Sequence, residues 1–341
     1  MKKILVVISM VLLLSGCYDY RELNDMSIVT GIGIDYKDNK YIVSLEVTKS
    51  VKDGSSNETE TVVYNGENKI LADAFLEAKN SSDKYVYMEH VNVLLISKEL
   101  SKNGIGDVID YIVRETSINS NYYIVIVDEP ESVFEIKQEN DSMSNVITNT
   151  INYYLDNTSF DDLDIMSSYM INKKEDIAVP IISTEDKKVK FNSVAYFNGD
   201  KYVGEIDSKL YAMLRLNSNN VNFSKNGNTI SLYKTSVEYE VNKDKITIKV
   251  GGEGLVKEIE SKIDLENKDS YEYLSRTIGQ DMKDDINRFL EETLNNDSDL
   301  LGLQDKYYKK YKKEMKDIKY DVEVNIKINK NGTIYEVLYD K

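Results

Sequence analysis

The chain has 341 residues and a single cysteine, Cys17, which closes an apolar run at the N-terminus. With no second thiol to pair with, the fold has to be held by apolar burial and hydrogen bonds, without disulfides. The run starts after Lys2 and Lys3 and continues from Ile4 to Leu14, broken only by Ser9. It is too short for a membrane-spanning helix, which needs ~20 residues, and suits the central part of a secretory signal. No later segment is apolar over anything near ~18 residues, so the body is expected outside the bilayer. From Cys17 to Lys341 there remain 325 residues, enough for two or three domains with cores of their own.

The residues Leu14-Ser15-Gly16-Cys17 resemble the lipobox of a bacterial lipoprotein. That resemblance implies a signal peptide over 1–16, cleavage before Cys17, and covalent diacylglycerol and N-acyl lipid at Cys17, with no other cofactor. A thiolate is the side-chain nucleophile best suited to accept the lipid. An ordinary signal peptide with a chance cysteine is the alternative. Loss of Lys2 and Lys3 leaves 41 basic against 59 acidic residues, moving the formal charge from −16 to −18. So acidic a body is not expected to bind nucleic acid, or to lie on anionic lipid by charge attraction. Its 41% apolar residues and 26 tyrosines indicate a folded protein and not an acidic tail.

Periodicity supplies an alternation of strands and helices. Ile28, Thr30, Ile32 and Ile34 are expected on one strand face, and Val29, Gly31, Gly33 and Asp35 on the other. The bare glycine face predicts close approach by another element. The spacing predicts a returning strand over 41–47, a short strand over 61–64 and helices over 67–79 and 104–116. Buried strands follow over 91–97 and 122–127, and helical segments between 131 and 172, clearest over 143–154 and 163–170. Pro180 and Glu185-Asp186-Lys187-Lys188 mark the best domain boundary. It separates an α/β region over 17–187, which could hold two subdomains, from an α+β domain over 188–341. In the second region a hairpin turns at Asn198-Gly199-Asp200. Strands are read over 229–241, 245–251 and 254–263, and a long helix over 271–294 with an apolar stripe. Ile318, Tyr320, Val322, Val324, Ile326 and Ile328 alternate with polar residues, predicting a strand of an antiparallel sheet covered on one side. Asn331-Gly332 then turns into a strand over 333–339. The fold class is α/β (α+β), multi-domain, with mixed sheets flanked by helices.

Tyr18-Asp19-Tyr20-Arg21-Glu22-Leu23-Asn24-Asp25, followed by Ile28-Val29-Thr30-Gly31-Ile32-Gly33-Ile34-Asp35, resembles the start of the Ger(x)C family of spore germinant receptor lipoproteins. Glu89-His90-Val91-Asn92, with Gly104-Ile105 and Arg114, resembles its histidine-bearing strand and following helix. Ala195-Tyr196-Phe197-Asn198-Gly199-Asp200 resembles the hairpin that opens its C-terminal domain. Asp299-Leu300-Leu301-Gly302-Leu303 stands where members carry an Asp, aromatic, Gly, aromatic, Gly run; here the second glycine is absent and leucines replace the aromatics. The resemblance implies a non-catalytic subunit of three α/β domains. Its partners would be two integral membrane subunits, at the outer face of the spore inner membrane. Arg21, Glu22, Leu23, Asn24, Gly31, Gly33 and His90 are then the candidate partner-facing or structural residues, and Cys17 the lipidation site.

Chemistry finds little support in the chain. His90 is the sole histidine, read as a hydrogen-bonded structural residue, and no triad or His-Glu-x-x-His occurs. Asp297-Ser298-Asp299 begins like a calcium loop but fails at Leu301 and Tyr308. The acidic groups Asp161-Asp162-Leu163-Asp164 and Asp281 with Asp284-Asp285 read as solvated helix faces. No enzyme is expected. A solute-binding lipoprotein of a transporter and a tethered hydrolase are the alternatives. The distinct C-terminal half argues against the first and the missing motifs against the second. Whether such a subunit binds a small-molecule germinant directly is left open by these residues.

Overall fold

The computed structural model describes residues 25–53, 56–119, 121–138, 141–155, 176–216, 221–225, 227–259, 263 and 267–329. Cys17 and Arg21, Glu22, Leu23 and Asn24, with the expected helix over 163–170 and strand over 333–339, lie outside them.

Two sheets organise the described residues. The larger begins with β1 (Met26–Lys37), β2 (Lys40–Asp53) and β3 (Ser56–Asn68), an antiparallel meander. Asp38 and Asn39 form its first turn, both with positive φ (51° and 61°), which suits a two-residue hairpin. β4 (Tyr85–Tyr87) and β5 (Val93–Ser97) both run parallel to β1. β6 (Tyr123–Val127) continues the parallel set and meets β7 (Ala178–Glu185). β8 (Lys188–Asn198) and β9 (Lys201–Asp207) close the sheet as antiparallel strands. β5 is buried at every residue, as expected of a central parallel strand covered on both faces.

Helices α1 (Leu71–Asn80), α2 (Lys98–Asn103) and α3 (Gly106–Arg114) cover one face. Phe75, Ile105, Ile109 and Ile112 pack there against Ile32, Leu45, Leu94 and Ile126. α4 (Pro130–Phe134) and α5 (Met143–Leu155) contribute Phe134, Met143 and Ile147 to the other face. That second core continues through α6 (Ser208–Leu216) into the smaller sheet. The smaller sheet has β10 (Val221–Lys225), β11 (Asn228–Val241), β12 (Ile246–Ile259) and β13 (Tyr320–Asn329), with α7 (Lys268–Asn295) and α8 (Leu303–Tyr311) between the last two strands. Leu274, Ile278, Met282, Ile286 and Phe289 of α7 are buried in this core, as the stripe predicts.

The Glu185-Asp186-Lys187-Lys188 run forms the turn of the β7–β8 hairpin in the larger sheet. The structure corrects the sequence reading in several places. β3 extends to Asn68, taking Glu67 and Asn68 from the expected helix, because it pairs with β2 along its whole length. Gly251 and Gly252 do not end a strand; β12 passes through them while paired to β11 and β13. β13 is parallel to β12, although β10, β11 and β12 are antiparallel. α7 supplies the crossover that brings the chain back in the same direction. Alternation fixes which side of a strand is apolar and not which way its neighbour runs.

A bulge alters the face assignment in β1. Val29 pairs with Val47 and Gly31 with Glu46, leaving Thr30 as the extra residue. Val29 therefore joins Ile32 and Ile34 in the core under α1 and α3, while Thr30 turns to the face of Gly31 and Gly33.

Candidate functional site

The glycine face of β1 is covered by the chain's own helices. A Cβ on Gly31 would lie 2.7 Å from the Phe134 ring, and one on Gly33 would lie 2.8 Å from Pro130 Cβ. Side chains at either position would displace α4, so the expectation of close approach holds and its agent is α4 with the start of α5.

Beside this contact sits Glu46 of β2, fully buried. Its carboxylate accepts hydrogen bonds from Thr30 Oγ1 at 2.9 Å, from the Met143 backbone N–H at 2.6 Å and from the Ser144 backbone N–H at 3.0 Å. The Ser144 hydroxyl also donates to it. These N–H groups open α5 and have no partner within the helix, while Ser142 Oγ accepts from Asn145 N at 3.2 Å as an ordinary N-cap. A carboxylate from a distant strand thus completes the helix start. Burial pushes the Glu46 pKa up, and the hydrogen bonds from Ser144, Thr30 and Met143 pull against that without overcoming it. Glu46 is the residue sequence reasoning missed; its place on the polar face of β2 carries no local signal of a helix start.

An open cleft of about 1070 Å³ runs from Glu46 between the sheet and residues 134–138 and 141–145. Its sheet side presents Thr30, Thr48 and Thr61, its far wall Ile136 and Lys137, and its rim His90. The Thr48 hydroxyl oxygen is buried with no hydrogen-bond partner among the described residues. Asn92 Nδ2 donates to Asn145 Oδ1 at 2.7 Å, and Asn145 Nδ2 to Asp141 Oδ1 at 2.8 Å, tying the cleft's two sides together. His90 is exposed, in the turn before β5, with its ring 5.6 Å from that of Tyr87. It makes no hydrogen bond among the described residues, so the reading of a hydrogen-bonded structural histidine is replaced by one of a surface ring.

A second convergence joins segments far apart in sequence. Ile105 N donates to Asp200 O at 2.9 Å and Gly106 N to Asp200 Oδ2 at 3.1 Å, so the β8–β9 turn caps α3. Asn296 Nδ2 donates to the Tyr196 hydroxyl at 2.9 Å, and Ser298 Oγ to Phe197 O at 2.9 Å. Asp299 accepts from Leu303 N and Gln304 N, both at 2.8 Å, capping α8, and its own N–H donates to Asp176 at 2.5 Å. Burial pushes both carboxyls up, and their mutual repulsion adds to the rise at Asp299. The Gly104-Ile105, 195–200 and Asp299 segments, separate in the sequence, therefore meet at one junction between the two sheets.

Comparison with known proteins agrees with this arrangement. Residues 19–184 match the profile described as spore germination protein N-terminal domain, and residues 192–332 that described as spore germination B3/GerAC like, C-terminal. The chain belongs to the Ger(x)C family of spore germination proteins. It is 22% identical to spore germination protein KC of Bacillus subtilis, covering 91% of this chain and 87% of that protein. Spore germination protein A3 of the same organism is 28% identical over 42% of this chain and 40% of its own length. The crystal structure of the GerBC protein superposes with a TM-score of 0.50 at 14% identity, covering 87% of this chain and 96% of that one, and shares the fold. Members of the Ger(x)C family are thus matched on both sides of the junction, in order.

Proposed function

We propose that the chain is the lipid-anchored, non-catalytic subunit of a spore germinant receptor, held by Cys17 at the outer face of the spore inner membrane beside two integral membrane subunits. The observation that carries this reading is the ordered match of both halves to spore germination profiles. The lipobox at Cys17 supports the anchor, and no described helix is long and apolar enough to cross a membrane. A transporter's solute-binding lipoprotein would show two similar lobes. Among the described residues, the nine-stranded mixed sheet and the four-stranded sheet are unlike one another.

The test is Cys17→Ala in sporulating cells, with membrane fractionation and purification of whatever accompanies the tagged protein. The variant is expected to escape lipoprotein processing and to leave the spore membrane fraction, while the parent chain brings down two multi-span membrane proteins. Normal processing and membrane retention of the variant would remove the anchor from the proposal. Absence of any membrane protein from the purified parent would remove the complex.

A further inference from the structure

Lipid at Cys17 would tie the chain to a bilayer, and the length of chain that follows limits which part of the body can lie close to it. Asp25, the first described residue, stands eight positions after Cys17. Eight residues span at most about 28 Å even when fully extended. β1 then runs for twelve residues, which puts its far end at Lys37 roughly 35 Å from its start at Met26. The anchor therefore holds the Met26 end of the larger sheet near lipid and leaves the Lys37 end free to point away.

The Met26 end presents an aromatic face. Ile28 lines the open cleft, while its neighbour Val29 lies in the core under α1 and α3. β4 runs parallel to β1 with Met26 beside Tyr85 and Ile28 beside Tyr87. Residues so paired share a face, so both tyrosines stand with Ile28, and Val86 between them turns to the core. α4 and the start of α5 cover this face further along β1, at Gly31 and Gly33. Before that point Met26, Ile28 and Tyr87 are half-buried and Tyr85 is 48% exposed. The exposed His90 ring stands 5.6 Å from that of Tyr87. Thr48, paired with Ile28, and Thr61, paired with Thr48, continue the face across β2 and β3. Charge stays at its border, where Glu60 lies 4.0 Å from Lys49 and Glu89 accepts from the Tyr87 hydroxyl at 2.7 Å.

We infer that the face formed by Met26, Ile28, Tyr85, Tyr87 and His90 rests on the headgroup region of a zwitterionic bilayer. This deepens the proposed function and rests on its anchor at Cys17. Tyrosine joins an apolar ring to a polar hydroxyl, the combination that settles where hydrocarbon gives way to headgroups. A face with no cation of its own, on a body this acidic, gains nothing from anionic lipid. The test uses the full-length lipidated protein in phosphatidylcholine vesicles, some of whose headgroups carry a nitroxide. Lipid on Cys17 blocks the only native thiol, so a fluorophore on Tyr85→Cys, on His90→Cys, or on Lys40→Cys beside the far end of β1 reports one place each. Quenching should be about threefold or more stronger at Tyr85→Cys and His90→Cys than at Lys40→Cys, given the roughly 35 Å between the two ends. Tyr85→Glu places a charge on the face at an exposed position. It should leave the melting temperature unchanged and cut quenching at His90→Cys by about half or more, since a carboxylate resists leaving water. Protein that does not float with the vesicles would remove the anchor and this inference with it. Vesicle-bound protein quenched equally at all three positions, or most at Lys40→Cys, would overturn the inference and leave the anchor standing. So would quenching at Tyr85→Cys that appears only when membrane subunits are added, or crosslinking of two copies through that position, because a protein would then be the occupant.

Discussion

Replacing Glu46 by glutamine separates the two effects that compete at this residue. The carboxylate faces donors from Thr30, Met143 and Ser144 and accepts all of them. Glutamine keeps one oxygen, and its amide nitrogen must confront at least one of those donors, leaving a buried N–H unpaired at a cost of about 1–3 kcal/mol. In a chain of this size that lowers the melting temperature by a few degrees. The pH dependence is the sharper test. Because burial raises the folded pKa of Glu46 above the ordinary 4.5, its protonated form contributes stability that is fully present below the unfolded value and is lost as pH rises through the folded one. Glutamine does not titrate, so the gap between parent and variant should narrow from pH 4.5 towards pH 8. Urea melts across that range measure it. A gap that widens with pH would show that the α5 start stabilises the anion by more than burial opposes it, and would refute the argument.

Gly33→Val should force the branched side chain into Pro130 and Phe134, costing about 1–3 kcal/mol; an unchanged thermal midpoint would show that α4 yields freely. His90→Ala should change stability by less than about 0.5 kcal/mol, read by the same melts, because the ring is exposed and makes no hydrogen bond among the described residues. Asp176→Asn relieves the repulsion felt by Asp299. Both carboxyls are raised from 3.8, so the parent should lose stability as pH climbs above about 4 and the variant should lose less, as chemical denaturation at stepped pH would reveal.

Local signals in the sequence determined much of the framework. Asp38-Asn39 and Asn198-Gly199-Asp200 sit at tight turns because those residues tolerate the backbone conformations that hairpins require, and both hairpins form. The apolar run of β5 and the stripe of α7 follow from burial at the periods of strand and helix, and both are core. The bare face at Gly31 and Gly33 announced a close neighbour without naming it. Tertiary structure decided the rest. The Thr30 bulge depends on β2 as a partner, and no propensity within β1 encodes it. Parallel and antiparallel neighbours demand the same alternation, so the direction of β13 awaited the crossover through α7. Glu46 reads as one polar residue on a strand's outer face until α5, 97 residues later, brings its unpaired N–H groups to it. Asp176 and Asp299 become a carboxylate pair only where the two sheets meet, because residues 123 apart influence each other through the fold alone.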